Sequence, residues 1–230
     1  MSRIRGLSLV VMVSAAAVLL SACDPGGAGA PTASPTAATP TQSGSPAVDP
    51  AKPLLKELVL TTEGLGELKI GIAPPTGDPS VNLVSFEADA CEAEGLPGIW
   101  QATYPDTDLG FGPQPPFAIA VTGDAVSRID VNTPEIFTDM GLHVGSSLDE
   151  VLGMYPGGPD AVISHADVSD VYVFLGTNGK LQFEVAVDRF AGYWEPSALD
   201  TVIFLSAISI VTEPYGIAAT GNVIGVCNLG

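Results

Sequence analysis

From Leu54 onward, β-branched and aromatic residues recur with a period of two, the spacing of strands that turn one face to a core. Residues 117–121 and 125–131 flank Thr122-Gly123-Asp124 and predict a β-hairpin. In its second arm Ala125, Ser127, Ile129 and Val131 share a face opposite Val126, Arg128 and Asp130. Residues 171–175 and 180–188, joined through Asn178-Gly179, predict another hairpin. There Leu181, Phe183, Val185 and Val187 alternate with Gln182, Glu184, Ala186 and Asp188, as in a half-buried antiparallel strand. Residues 201–211 are apolar on both faces and predict a central strand. One helix signal stands out. Ser147 and Glu150 form a capping box, and Leu148, Val151, Leu152 and Tyr155 fall on one helical face until Pro156, Gly157 and Gly158 stop it.

Residues 60–71 are similar to 137–145, and each segment precedes a helix start (Asp78-Pro79, then Ser147) and a run of strands. The pattern predicts an α+β fold over residues 54–230, with antiparallel sheet and short helices. It is read as one domain or as two degenerate tandem α+β repeats, 54–135 and 136–230. The Gly-Ser-Ser-x-x-Glu-Val run at 145–151, followed by an antiparallel meander, resembles modules of β-lactamase-inhibitor proteins and of small outer-membrane-assembly lipoproteins. The resemblance covers residues 141–211. Ser147 stands where those modules favour Thr, and the first half has residues 72–77 inserted where its helix should begin. It implies α+β architecture and says little of function.

The first residues follow a different pattern. Arg3 and Arg5 precede an apolar stretch from Leu7 to Leu20, shorter than the ~20 residues that cross a bilayer as a helix. It ends in Leu20-Ser21-Ala22-Cys23, which resembles the lipobox of bacterial lipoprotein signal peptides. That resemblance implies a signal peptide over residues 1–22, a diacylglyceryl group on the Cys23 thiol, and cleavage that leaves Cys23 as the new N-terminus. Two acyl chains matter because burial is worth ~0.8 kcal/mol per CH₂ and one chain binds only marginally. Residues 24–53 that follow are almost entirely Pro, Gly, Ala, Ser and Thr, with no aromatic residue. Such a composition cannot offset the entropy of ordering a chain and reads as a disordered tether, reaching at most ~100 Å.

Charge narrows the partners. The chain carries 26 Asp and Glu against 8 Lys and Arg, a formal charge of −18; losing Arg3 and Arg5 with the signal peptide leaves 6 bases and −20. Nucleic acid is excluded as a partner, since its phosphates need Lys and Arg to displace counterions. Electrostatic adhesion to anionic headgroups is excluded likewise, so the membrane is reached through the lipid anchor. With Cys23 acylated, Cys91 and Cys227 remain as a disulfide pair, or as two buried thiols, in an oxidising compartment.

Catalytic signatures are scarce. The two histidines, His143 and His165, have no metal-ligand spacing, and no serine sits in a nucleophile elbow. Ser164, His165 and Asp170 have the composition of a triad, but adjacent strand residues point to opposite faces. Asp106 and Asp108 open a calcium-like loop whose twelfth position is Phe117 rather than Glu. No catalytic residue, metal or cofactor is assigned. What remains is the loop with Phe190, Tyr193 and Trp194, residues that anchor a protein or glycan partner when exposed, or cover the sheet when folded back. The reading is a lipoprotein on the extracytoplasmic face of the cell membrane, acting as a binding or interaction module, and more a binder than an enzyme. The alternatives are a cell-envelope hydrolase with an acidic site and a purely structural envelope protein.

Overall fold

The computed structural model of the chain describes residues 52–76, 82–91, 98–108, 113–189, 192–212, 216–221 and 224–225. Cys23, Phe190 and Cys227 lie outside them, as do the signal peptide, the tether up to residue 51 and Asp78-Pro79.

Most ordered segments are strands. An eight-stranded antiparallel sheet is made of two meanders. The first is β4 (Val84–Glu87), β5 (Ile99–Ala102), β8 (Phe117–Thr122) and β9 (Ala125–Val131). The second is β11 (Ala161–His165), β12 (Ser169–Leu175), β13 (Gly179–Ala186) and β14 (Val202–Ser209). They join where β9 pairs with β14, Leu205 opposite Val131 and Ile208 opposite Arg128. A small sheet has the order β10 (Phe137–Thr138), β1 (Val59–Thr61), β2 (Gly64–Leu65), β3 (Leu68–Lys69). A two-stranded ribbon pairs β6 (Thr107–Asp108) with β7 (Pro113–Gln114).

Among the described residues there is one α-helix, α1 (Leu148–Met154), besides short 3-10 turns. The capping box is present, with Ser147 Oγ accepting from the Glu150 N–H and the Glu150 carboxylate accepting from the Ser147 N–H. Among the described residues no helix is long and apolar enough to cross a membrane. The α+β expectation is therefore corrected to a mainly β fold. The reason lies in residues 59–70, which make short strands whose Leu60, Leu65, Leu68 and Ile70 share one core with the large sheet, leaving α1 as one cover among several. Each half supplies a four-stranded meander and the second also the helix, while the helix start expected in the first half, Asp78-Pro79, lies outside the described residues. The two similar segments meet directly, β1 parallel to β10 with Val59 opposite Phe137.

The large sheet has two covered faces. Ile119, Ile129, Val131, Phe183, Leu205 and Ala207 point to one, under the small sheet and α1, which contributes Val151. A bulge where Ala120 pairs with Arg128 but Val121 with Val126 breaks the alternation of β9. Val126 rather than Ser127 thus joins Ile129 and Val131 in the core. The opposite face carries Arg128, Asp130, Ser206, Gln182, Glu184 and Ser169, and it too is buried. Residues 216–221 and Ile224 lie over it, so β13 is buried at every position instead of half-buried. Tyr104 closes one edge of the core, its hydroxyl donating to Pro53 O at 2.8 Å. Burial, and then the charge of Glu57, push this phenol up to about 12.

Candidate functional site

The two ends of the large sheet differ. One carries the β8–β9 and β12–β13 turns and the exit from β14; call it the turn end. The other carries the connections 165–168 and 187–201, and there Lys52, at the start of the described chain, reaches Thr103 O and Oγ1.

At the turn end an open groove of about 590 Å³ lies between the stretch after β3, the start of β9 and the exit from β14. Its walls follow from local chemistry. Gly71, at φ +79°, turns the chain after β3 in a conformation that side chains disfavour. The Gly71 N–H then donates to Val126 O at 2.8 Å, and the Val126 N–H donates to Ile72 O at 2.9 Å. This stitches the small sheet to the large one and leaves Ile72 61% exposed. At the exit of β14, Ser209 Oγ accepts from the N–H groups of Val211 and Thr212 and bends the chain outward, so that Val211 is 86% exposed. Glu63 accepts from the Asn178 N–H and, at 2.5 Å, from its side-chain amide. That contact holds the loop after β1 against the β12–β13 turn, where Thr62 sits so close to Gly176 and Gly179 that a Cβ on either would clash. Lys69, from β3, is the groove's cation. A volume in the range of small-molecule sites, with apolar rims and few charges, can hold a ligand with an apolar body.

The aromatic loop sits at the other end. Tyr193 is 59% exposed. Trp194 is half-buried, its indole N–H donating to Val168 O at 2.6 Å and its ring meeting Tyr193 edge-on at 4.9 Å. Trp194 thus braces the β11–β12 turn, and Tyr193 is the part of the loop left facing outward. Phe190 lies outside the described residues. Nearby, Ser164 Oγ donates to Asp170 at 2.7 Å, and Arg189 donates to both carboxylate oxygens of Asp170. His165 is turned away from this pair and packs against Gly221, so Ser164, His165 and Asp170 do not assemble as a triad. Partial burial pushes the Asp170 carboxyl up, but hydrogen bonds from Arg189 and Ser164 and the charge of Arg189 bring it below the usual carboxylate range.

The acids that do cluster are buried under residues 216–221. Arg128 Nε donates to Asp130 at 2.7 Å, as does Ser206 Oγ at 2.6 Å. Glu184 accepts from Ser169 Oγ, from the N–H groups of Ala219 and Thr220, and from the Thr220 hydroxyl. Burial pushes the Asp130 carboxyl above the usual range, against the pull of Arg128 and Ser206. The space beside it is about 10 Å³, room for a single water. The cluster is built to hold the C-terminal segment and gives a substrate no entry. Among the described residues no His, Cys, Asp and Glu group is arranged to hold a metal. Cys91 is fully buried and disulfide-bonded, while Cys23 and Cys227 lie outside the described residues.

The groove was not legible in the sequence. Its residues come from four separated segments, and the only local signals were Gly71 and the run Ile208 to Val211, which reads simply as strand. No family model matches the chain, and no curated protein matches it. It is similar to two solved structures. One is the crystal structure of the uncharacterized protein yfeY from Escherichia coli, with 14% identity and TM-score 0.39 over 65% of this chain and 99% of that one. The other is a DUF4309 family protein, YjgB, from Bacillus subtilis, with 15% identity and TM-score 0.34 over 67% of this chain and 93% of that one.

Proposed function

We propose that the chain is a lipid-anchored binding protein of the extracytoplasmic face, acylated at Cys23, carried on residues 24–53, and taking a small apolar ligand in the groove at the turn end. The observation that carries the ligand reading is the groove itself. It has ligand-sized volume and exposed Ile72 and Val211, and among its lining residues only Glu63 and Lys69 are charged. The anchor reading is supported by the order of the first residues, Arg3 and Arg5, the apolar run, then Leu20-Ser21-Ala22-Cys23. Lys52, where the described chain begins, bonds Thr103 at the end opposite the groove.

A neutral fluorescent probe, N-phenyl-1-naphthylamine, tests the ligand reading. Its fluorescence should rise on the wild-type protein and stay low on Ala125→Trp, which fills the groove from a half-buried position at the start of β9. An equal rise on both proteins would remove the groove as the site. The second reading, contact with an envelope protein or glycan through the aromatic loop, is favoured by the exposure of Tyr193.

A further inference from the structure

The groove's polar groups, taken one by one, say what kind of headgroup a ligand would bring. Beyond residue 22 the chain has only 6 bases. Lys52 donates to Thr103, Arg128 to Asp130 and Gly216, and Arg189 to Asp170, while Lys180 is buried. The side chains of Lys56 and Lys69 make no hydrogen bond or ion pair with the described residues, and Lys69 lines the groove. Glu63, the carboxylate beside it, already takes two N–H donors from Asn178 and lies beyond ion-pair distance of Lys69. Three of the four lining hydroxyls are used as well: Thr122 and Ser127 bond each other, Ser127 also donates to Ala120 O, and Ser209 caps the bend after β14, while the Thr212 hydroxyl is left. What the groove offers a ligand is therefore apolar surface from Ile72 and Val211, the Thr212 hydroxyl and one uncommitted ammonium, that of Lys69.

We propose that the groove takes a single-chain fatty carboxylate, its alkyl chain along Ile72 and Val211 and its headgroup on Lys69; this rests on the groove being the ligand site. An ammonium–carboxylate contact beside apolar surface is stronger than one in open water, and each buried CH₂ adds to it. The chain's net negative charge opposes anions at a distance, but beyond ~8 Å it is largely screened at physiological salt, so the contact at Lys69 decides.

The test is calorimetric titration of the mature polypeptide from residue 23, prepared without acyl chains, with decanoate, decyl maltoside and decyltrimethylammonium. Decanoate should bind about tenfold more tightly than the maltoside, the advantage of one charge-assisted contact. Lys69→Gln, at an exposed position, should erase that advantage and leave maltoside binding unchanged, while Lys69→Arg keeps it. Ala125→Trp should abolish binding of all three. Equal affinities in the wild type, tightest binding of the cation, or an advantage that survives Lys69→Gln would overturn the headgroup inference. The groove reading would still stand if Ala125→Trp blocks binding. Failure of all three amphiphiles to bind the wild type would overturn both.

Discussion

The carboxylate of Glu184 holds residues 219–220 against the large sheet by accepting from two backbone N–H groups and two hydroxyls. Glu184→Gln turns one acceptor into a donor facing other donors. It should cost ~2–3 kcal/mol, read as a shift in urea midpoint, with amide exchange at Ala219 and Thr220 rising first. Arg128 and Asp130 are a buried pair, so removing one partner strands the other. Arg128→Met should cost ~3–5 kcal/mol, and adding Asp130→Leu should recover most of it; no recovery would deny that the stranded charge is the cause. Two carboxyls on this fold titrate in opposite senses. The folded-state pKa of Asp130 is raised, so its contribution to stability falls as pH rises through the window above its unfolded value. That of Asp170 is lowered, so the stability it contributes is present above its unfolded value and lost as pH falls through the folded one. Arg189→Gln should therefore raise the Asp170 pKa in an NMR titration and shrink the acid-side loss of stability.

At the scale of elements, α1 stands on its cap. Ser147 bonds Glu150 in both directions, and the chain on either side of it is tied to the start of β14 and the turn before it through Gly145 N–H to Val202 O and Leu148 N–H to Asp200 O. Ser147→Ala should cost about 1 kcal/mol in urea unfolding without altering the sheet. Trp194 does for the β11–β12 turn what Ser147 does for the helix. Trp194→Phe keeps most of the ring but removes the bond to Val168 O, and should cost ~1 kcal/mol and speed amide exchange in residues 165–168. If stability is unchanged, the indole is no brace, and the loop returns to consideration as a partner-binding element alongside the exposed Tyr193.

At the scale of the whole molecule, the proposed anchor lies in residues far from the core of the acidic domain. Cys23→Ala should abolish incorporation of radiolabelled palmitate and leave the urea transition of the domain unchanged, because residues 24–53 insulate one from the other. Label retained on the mutant would retire the lipobox reading. Cys91 should be found paired with Cys227: intact mass under denaturing conditions should show both thiols alkylated only after reduction. A bridge between positions so far apart in the chain would be worth at most ~5 kcal/mol of chain entropy, so the reduced protein should unfold at clearly lower urea.

Local patterns carried the reading a long way. The turn at Gly123-Asp124 sits where its neighbours predict, both residues at positive φ. The hairpin at Asn178-Gly179, the centrality of β14 and the capping box of α1 are likewise short-range features, decided by alternation and by backbone preferences within a few residues. What depended on residues distant in sequence was invisible. Gln182 and Glu184 alternate with apolar residues as a solvated face would, yet they are buried, because residues 216–221 fold back across them. The bulge that turns Val126 into the core depends on the pairing of β9 with β8, which alternation within one strand cannot report. The balance of helix and strand was misjudged for the same reason: residues 59–70 form short strands whose parallel contact with β10 comes from the other half of the chain. The charge is a matter of composition, which the sequence determines alone, and the expected leader and tether rest on composition and order. The groove is a matter of which segments meet, and only the tertiary structure brought Lys69, Ile72, Ala125 and Val211 to one place.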